Sequence, residues 1–338
     1  MPPPSTVAVI GAGIAGLSCA SALHARGVKT VVFDKGRGVG GRTSTRRGPA
    51  APGQTESDPA RGWDHGAICF LAEDPRFISQ VEAWAAQSLV APWPISDLPP
   101  SGETGSWVGT PSMSAIAQHL ASGLEIRAGQ RIERLERSGQ AWQLHTTKQA
   151  ASELFDAVVL TAPPPQSHLL LANLAPELAD LLLTTWFQPC WTLLAVSEKQ
   201  LHPAAIRRVG PGHLPDGISS LVCEDTKPGR LPHPDGMRWL MQSSAGWAQA
   251  HLELPAEEVV ALLREKLAEA IEVPIKHASA HRWRYARVHR ALGRDCVADT
   301  DQGLVLAGDF CRGDGVENAW LSGRAAAEAL RTVDSTVA

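Results

Sequence analysis

The sequence has no apolar run approaching the ~18 residues that a membrane-crossing helix needs, so no membrane partner is expected. Its first six residues, Met1 to Thr6, lack the basic and apolar regions of a secretory leader, and a cytoplasmic location is expected. No Cys-x-x-Cys pair occurs among the six cysteines, Cys19, Cys69, Cys190, Cys223, Cys296 and Cys311. That spacing argues against a disulfide framework and against a zinc site, so reduced, mostly buried thiols and no metal are expected. There is no basic excess either: 31 Lys and Arg face 35 Asp and Glu, for a net charge of -4, which points away from nucleic acid. Neither a Gly-x-Ser-x-Gly elbow nor a Cys–His nucleophile signature is present. His277 and His281 have the i, i+4 spacing of a helical metal pair, but their flanks read as strand and no third ligand is evident. Tyrosine is nearly absent, with Tyr285 alone, against eleven tryptophans, a residue that suits both cores and flat ligand sites.

What is present is enough for two domains: 338 residues, 44% of them apolar. Val7–Ile10 is a β-branched run expected to be a buried strand, Leu17–Ala25 a helix stopping at Gly27, and Thr30–Phe33 a second strand. Between the first strand and the helix stands Gly11-Ala12-Gly13-Ile14-Ala15-Gly16, and Asp34 ends the second strand. Each glycine has a task in a dinucleotide-binding turn. Gly11 allows the tight turn, Gly13 lets backbone approach a pyrophosphate, and Gly16 lets helix and strand pack closely. The helix N-terminus offers free N–H groups to the phosphates, and Asp34 can accept from the adenosine ribose.

Further along, Arg46–Gly62 reads as a mobile surface loop and Asp74–Ala86 as a helix. Met113–Ser122 is expected to be helical, and Leu124–Ala128, Arg131–Arg137 and Ala141–Thr146 to form a three-strand meander. Asp156–Ala162 is a strong strand that ends in Pro163-Pro164-Pro165, a plausible domain crossing. Helices at Gln166–Thr185 and Ala256–Ala270 mix with strands at Trp191–Ser197, Arg238–Ser243 and Ala278–Tyr285, as in an α+β domain. Leu304–Ala307 is a final buried strand running into Gly308-Asp309, and Asn318–Arg331 a closing helix. The expected architecture is therefore α/β: a Rossmann-type nucleotide domain at 1–75, 105–165 and 296–338, with an inserted α+β substrate domain at 76–104 and 166–295.

The fingerprint alone does not say which dinucleotide is bound. Arg37-Gly-Val-Gly40-Gly41-Arg42 resembles the R-x-x-G-G-R segment of flavin amine oxidases and their relatives, which implies FAD. Segments along the whole chain resemble the bacterial renalase family of that superfamily: Phe33 to Arg42, Asp64-His65-Gly66-Ala67, Trp107 to Ser114, Lys227 to Arg230, His281 to Arg287, Gly308 to Cys311 and Val316 to Gly323. The resemblance implies non-covalent FAD held by Gly11, Ala12, Gly13, Ala15, Gly16, Asp34, Lys35, Gly41, Arg42, Gly66, Ala67, Ile132, Gly308, Asp309, Glu317 and Ala319. The closing helix would aim its N-terminus at the flavin ring.

The activity implied is hydride transfer from 2- or 6-dihydro isomers of NAD(P)H to flavin N5, with O2 then reduced to H2O2. The partners are then a small dinucleotide substrate and O2, in a monomer or weak homodimer. That transfer needs no acid or base, so no catalytic side chain is expected, only stacking and positioning. Trp107, Trp191, Trp247, Trp283 and Tyr285 are the candidates to hold the substrate, with Arg284, Arg282 or Arg287 for its phosphates. A lone tryptophan is more often core than platform. Relatives tend to have Gln-Tyr-Phe after Gly-Ala, where this chain has Ile68-Cys69-Phe70; Cys69 reads as a small buried filler. A flavin amine or polyene oxidase, and a non-catalytic flavin-bearing protein, stand as alternatives.

Overall fold

The computed structural model describes residues 4–47, 58–93, 105–147, 153–201 and 214–330. In chain order the first elements are β1 (Thr6–Ile10), α1 (Ile14–His24), β2 (Lys29–Phe33), β3 (Phe70–Leu71), α2 (Pro75–Ala86), β4 (Val90–Pro92), β5 (Ser106–Gly109) and α3 (Ser114–Leu120). There follow β6 (Glu125–Arg127), β7 (Ile132–Ser138), β8 (Ala141–Thr146), β9 (Ala157–Leu160), α4 (Pro164–Leu171), α5 (Pro176–Leu183), β10 (Trp186–Ser197), β11 (Ile218–Cys223) and β12 (Arg238–Ser243). The chain closes with α6 (Ala245–Ala250), α7 (Ala256–Ile271), β13 (Ile275–Arg290), β14 (Val297–Asp299), β15 (Leu304–Leu306), α8 (Asp309–Arg312) and α9 (Val316–Ala329).

Two compact units are present, each discontinuous in sequence. The first comprises Met1–Gly41, Ala117–Trp186 and Val288–Ala338. Its sheet has the order β14-β15-β9-β1-β2-β6. All neighbours are parallel except the edge strand β14. Strands buried on both faces should read as continuous apolar runs, and β1, β2, β9 and β15 do. Helix α9 packs along α1, close enough that a Cβ on Gly323 would stand 2.1 Å from the carbonyl oxygen of Ala15. The Ser18 hydroxyl donates to the carbonyl of Trp320 at 2.9 Å in that contact.

The second unit comprises Arg42–Ile116 and Phe187–Arg287. Its main sheet, β11-β12-β10-β13, is covered on one face by α7. Trp191, Leu193, Trp239 and Met241 from the sheet meet Val259, Leu263, Leu267 and Ile271, which recur along α7 at helical spacing. A smaller sheet, β3-β5-β4, pairs Trp107 with both Phe70 and Pro92.

These boundaries differ from the expected ones. Residues 42–75 and 105–116 group with the second unit because β3 and β4 both pair with β5. Residues 166–186 and 288–295 group with the first. The triple proline is no domain crossing. Pro163 precedes α4 and Pro164 opens it, where a missing N–H is unneeded anyway. The helix expected at Gln166–Thr185 is two helices, since Pro176 starts a new one. The meander is also corrected. β6 pairs parallel with β2, extending the large sheet, while β7 and β8 form a separate hairpin with its turn at Gly139. Part of the 46–62 loop is ordered: Arg46 pairs with Trp63, and Asp58 caps a short turn at Pro59–Arg61. The rest of that stretch, 48–57, lies outside the described residues.

Candidate functional site

In the first unit the sequence Gly11–Gly16 does what its spacing requires. Gly11 adopts φ +117°, and a Cβ there would lie 2.5 Å from the Thr161 hydroxyl. A Cβ on Gly16 would lie 1.9 Å from the Gly11 carbonyl oxygen, so these two glycines serve turn and packing. Gly13 is different: a Cβ there meets no protein atom within 4 Å. The open space lies at the N-terminus of α1, whose N-cap, Gly13 itself, supplies no side-chain acceptor and whose first turn carries no acid. Uncapped N–H groups beside clear space form an anion seat, and a pyrophosphate fits it.

Asp34 tightens this seat. One carboxylate oxygen accepts from the Ala12 N–H at 2.7 Å and the other from the Gly36 N–H at 2.6 Å. Each oxygen keeps a further lone pair, so ribose hydroxyls can still be bound. Gly40 donates to the Ala12 carbonyl at 2.8 Å, and a Cβ on Gly41 would come within 3.5 Å of the Gly13 Cα. Lys35 instead reaches Gln166 at 3.1 Å. Ala15 is buried, its carbonyl facing Gly323 of α9, while its N–H is one of the uncapped first-turn donors of α1. Ile132 opens β7 and is buried.

At the other end of this unit, the Gly308 N–H donates to Ser322 at 2.9 Å, and Asp309 directly after it is buried. Glu317 and Ala319 sit at the start of α9, behind Gly315 at φ +115° with clear space at its Cβ position. These residues come together because β15 lies beside β9 and α9 beside α1.

Arg42, Gly66 and Ala67 belong to the second unit. The Arg42 guanidinium donates to the Ala286 carbonyl at 3.2 Å and lies 5.6 Å from the centroid of the Phe187 ring, so it braces its own unit. Its carbonyl accepts from Ala67 at 2.8 Å, and a Cβ on Gly66 would stand 2.0 Å from that same oxygen. Beneath this contact lies a buried ionic cluster. Lys227 Nζ is 3.0 Å from Asp64 Oδ2 and 2.7 Å from Glu224 Oε1. Arg230 bridges Asp64 and the Gly109 carbonyl. Asp64 Oδ1 also accepts from the Thr45 hydroxyl at 2.7 Å and the Met113 N–H at 3.0 Å. Although burial opposes its charge, the Lys227 and Arg230 charges hold the Asp64 carboxyl well below its usual range. Burial raises the Glu224 carboxyl despite its contact with Lys227.

The strand β13 sorts the remaining candidates by the period of two. Its odd residues share one face. His281 meets His65 edge-on at 4.8 Å, and Trp283 donates from its indole to the His65 carbonyl at 2.9 Å. Tyr285 meets Phe187, and Arg287 reaches Gln242, which in turn donates to the Gly66 carbonyl at 2.7 Å. The even residues go the other way: Arg282 and Arg284 both pair with Glu253. Arg284 therefore cannot share a ligand with Trp283 and Tyr285, whereas Arg287 can. Trp191 is only 2% exposed, packs under α7 and donates to the His251 carbonyl, and Trp247 stacks on the His251 ring at 4.0 Å. Trp191 is a core residue of this unit and Trp247 packs half-buried against that core, so both leave the substrate set. Trp107 stays in it: it lies on β5, and its buried indole N–H has no hydrogen-bond partner.

His277 and His281 stand four residues apart along a strand, about 13 Å, and not on a helix turn. Burial is the main cause that takes the His65 imidazole down to about 4 and lowers His281 as well; the Arg46 charge adds to both. Burial pushes the Cys69 thiol up, so it stays protonated and unreactive. The ionic cluster, Gln242 and the His65–His281 pair have no motif of their own. Their sequence signal was only that Asp64, Lys227 and Arg230 stand in segments shared with a family.

The family model described as "Flavin containing amine oxidoreductase" matches residues 95–331, and that described as "NAD(P)-binding Rossmann-like domain" matches residues 9–81. Among solved structures, a protein assigned as a protoporphyrinogen oxidase from Exiguobacterium sp. 255-15 superposes with TM-score 0.71 at 14% identity, covering 96% of this chain and 98% of its own. Cyclohexylamine oxidase from Brevibacterium oxydans gives TM-score 0.65 at 14% identity, covering 97% and 99%. A redesigned putrescine oxidase gives 0.69 at 12%, covering 96% and 98%. At these identities the structural likeness speaks for the fold.

Proposed function

This chain belongs to the flavin containing amine oxidoreductase family and is an FAD-dependent oxidoreductase; from that premise we propose that it oxidises 2- or 6-dihydro isomers of NAD(P)H to NAD(P)+, with O2 as final acceptor. FAD, when bound, supplies the two-electron acceptor that takes the hydride and passes electrons to O2. This chain's residues would bind and orient. The first unit holds the pyrophosphate over Gly13 and the ribose at Asp34. In the second, Trp283 and Tyr285 give a flat aromatic surface for a dihydronicotinamide, and Trp107 an unused N–H donor.

The observation that supports this reading is the odd face of β13. It joins two aromatics to Arg287 and Gln242. A guanidinium and an amide beside aromatic rings suit a carboxamide and phosphates. They suit a protonated alkylamine poorly, because a fixed cation repels it. No step needs a side chain to take a proton, and none of these residues is held as a base. A second reading, an amine oxidase, is favoured by the family match and by the fold shared with cyclohexylamine and putrescine oxidases.

Anaerobic stopped-flow mixing separates the two readings. Holoprotein is mixed with 2-dihydro-NAD(P), 6-dihydro-NAD(P), ordinary NAD(P)H, cyclohexylamine or putrescine, and flavin absorbance is followed. Rapid bleaching by a dihydro isomer supports the proposal. Bleaching no faster than with ordinary NAD(P)H defeats it, and rapid bleaching by an amine establishes the second reading.

A further inference from the structure

A groove of about 230 Å³ opens in the second unit, away from Trp283 and Tyr285. Arg46, Arg47, Trp63, His277 and Ser279 line it above an apolar floor from β10. No carboxylate among the described residues lines it. The Arg46 and Arg47 guanidiniums make no ion pair or hydrogen bond among the described residues. Trp63 is 9% exposed, and its indole N–H is buried without a partner. A buried donor left unpaired needs an acceptor, and here it stands beside two uncommitted cations. Two guanidinium forks, a hydroxyl and an imidazole match the several oxygens and double charge of a phosphate monoester better than a single carboxylate.

The groove's place on β13 says where such a phosphate would come from. His277 and Ser279 are odd residues, on the same face as His281, Trp283 and Tyr285. From Trp283 to His277 is six residues of strand, about 20 Å. That is the reach of an extended dinucleotide measured from its nicotinamide ring. Between them lie the His65 and His281 imidazoles, which burial keeps neutral and which therefore add no competing cation.

We propose that this groove takes the 2′-phosphate at the adenosine end of the dihydronicotinamide dinucleotide, so that the NADP series is the preferred substrate. The inference rests on the substrate reading above. The same chemistry would also accept free phosphate, and the test separates the two sources.

FAD-saturated holoprotein, whose own adenosine site is filled, is titrated calorimetrically with 2′,5′-ADP, 5′-AMP and inorganic phosphate. The titrations are repeated on Arg46→Gln/Arg47→Gln. The two arginines are exposed, so the fold is retained. The expected result is 2′,5′-ADP binding at least roughly 10-fold more tightly than 5′-AMP, as a lost charged hydrogen bond would give, with the gap abolished in the double variant. In turnover, the variant raises KM for the dihydro-NADP isomer and leaves kcat and the KM for the dihydro-NAD isomer unchanged. Equal affinity for the two nucleotides, or a gap that survives the substitutions, overturns the inference. Phosphate binding as tight as 2′,5′-ADP assigns the groove to a free anion and overturns it too. If the gap is present but no dihydronicotinamide bleaches the flavin, the phosphate seat stands and the oxidase reading falls.

Discussion

Replacing Lys227 by Met removes one cation from a buried set of two carboxylates and two cations, Asp64, Glu224, Lys227 and Arg230. Asp64 keeps Arg230, the Thr45 hydroxyl and the Met113 N–H. Glu224 keeps nothing comparable: Oε1 loses its 2.7 Å contact and Oε2 already has no partner. Stranding a buried charge in this way costs about 3–5 kcal/mol. Adding Glu224→Leu to Lys227→Met should recover a large part of it, since removing both partners leaves an apolar pair with no charge to strand.

The sign with pH follows from Glu224. Its folded-state proton affinity is raised, so its contribution is present below its unfolded pKa and is lost as pH climbs through the folded one. Without Lys227 that rise is larger, and the variant's deficit should be smaller at pH 5 than at pH 8. Urea unfolding followed by tryptophan fluorescence measures this, with the double-mutant cycle run at both pH values. A Lys227→Met cost under about 1 kcal/mol, or a Glu224→Leu penalty that simply adds, would show that the cluster is not a buried, mutually compensating set.

Gly13→Val should yield a folded but colourless protein, because its Cβ meets no protein atom within 4 Å and the side chain occupies the pyrophosphate seat; Gly16→Val should instead damage the fold, and circular dichroism beside the flavin spectrum tells them apart. Arg287→Ala should raise KM for the dinucleotide substrate, while Arg284→Ala, in an exposed pair with Glu253, leaves turnover and stability essentially unchanged; equal effects in steady-state assays would contradict the assigned faces of β13. Acid should act partly through His65. Its folded pKa is depressed to about 4, so stability is lost as pH falls from 6.5 toward 4, by up to ~3 kcal/mol, and His65→Phe should flatten thermal-shift curves over that range.

The nucleotide unit was readable because its signals are local. The β1–turn–α1–β2 run, the three glycines and Asp34 lie within 34 residues and each carries its own steric or hydrogen-bonding reason. The second unit was readable as strands and helices but not as a site. Trp191 and Trp247 are candidate ligand platforms in sequence, and only the packing of α7 on the sheet makes the first core and leaves the second half-buried against it. Arg284 and Arg287 differ by three residues, an odd number, so a strand sends them to opposite faces; the sequence carries no mark of which face is which. Asp64 and Lys227 are 163 positions apart and meet only through tertiary structure. The triple proline misled because the same residues that interrupt a strand also open a helix.

The clasp of α9 on α1 has a consequence for how this chain is born. Gly323 and Ala15, Ser18 and Trp320 are neighbours about 300 residues apart, and β15 must slot beside β9 before the large sheet is whole. A ribosome adding ~5–20 residues per second reaches α9 on the order of 15–60 s after α1 emerges. Through that interval the face of α1 that carries Ala15 and Ser18 waits without its final neighbour. Truncations that remove α9 should thus be as harmful to flavin loading as lesions in the Gly11–Gly16 turn.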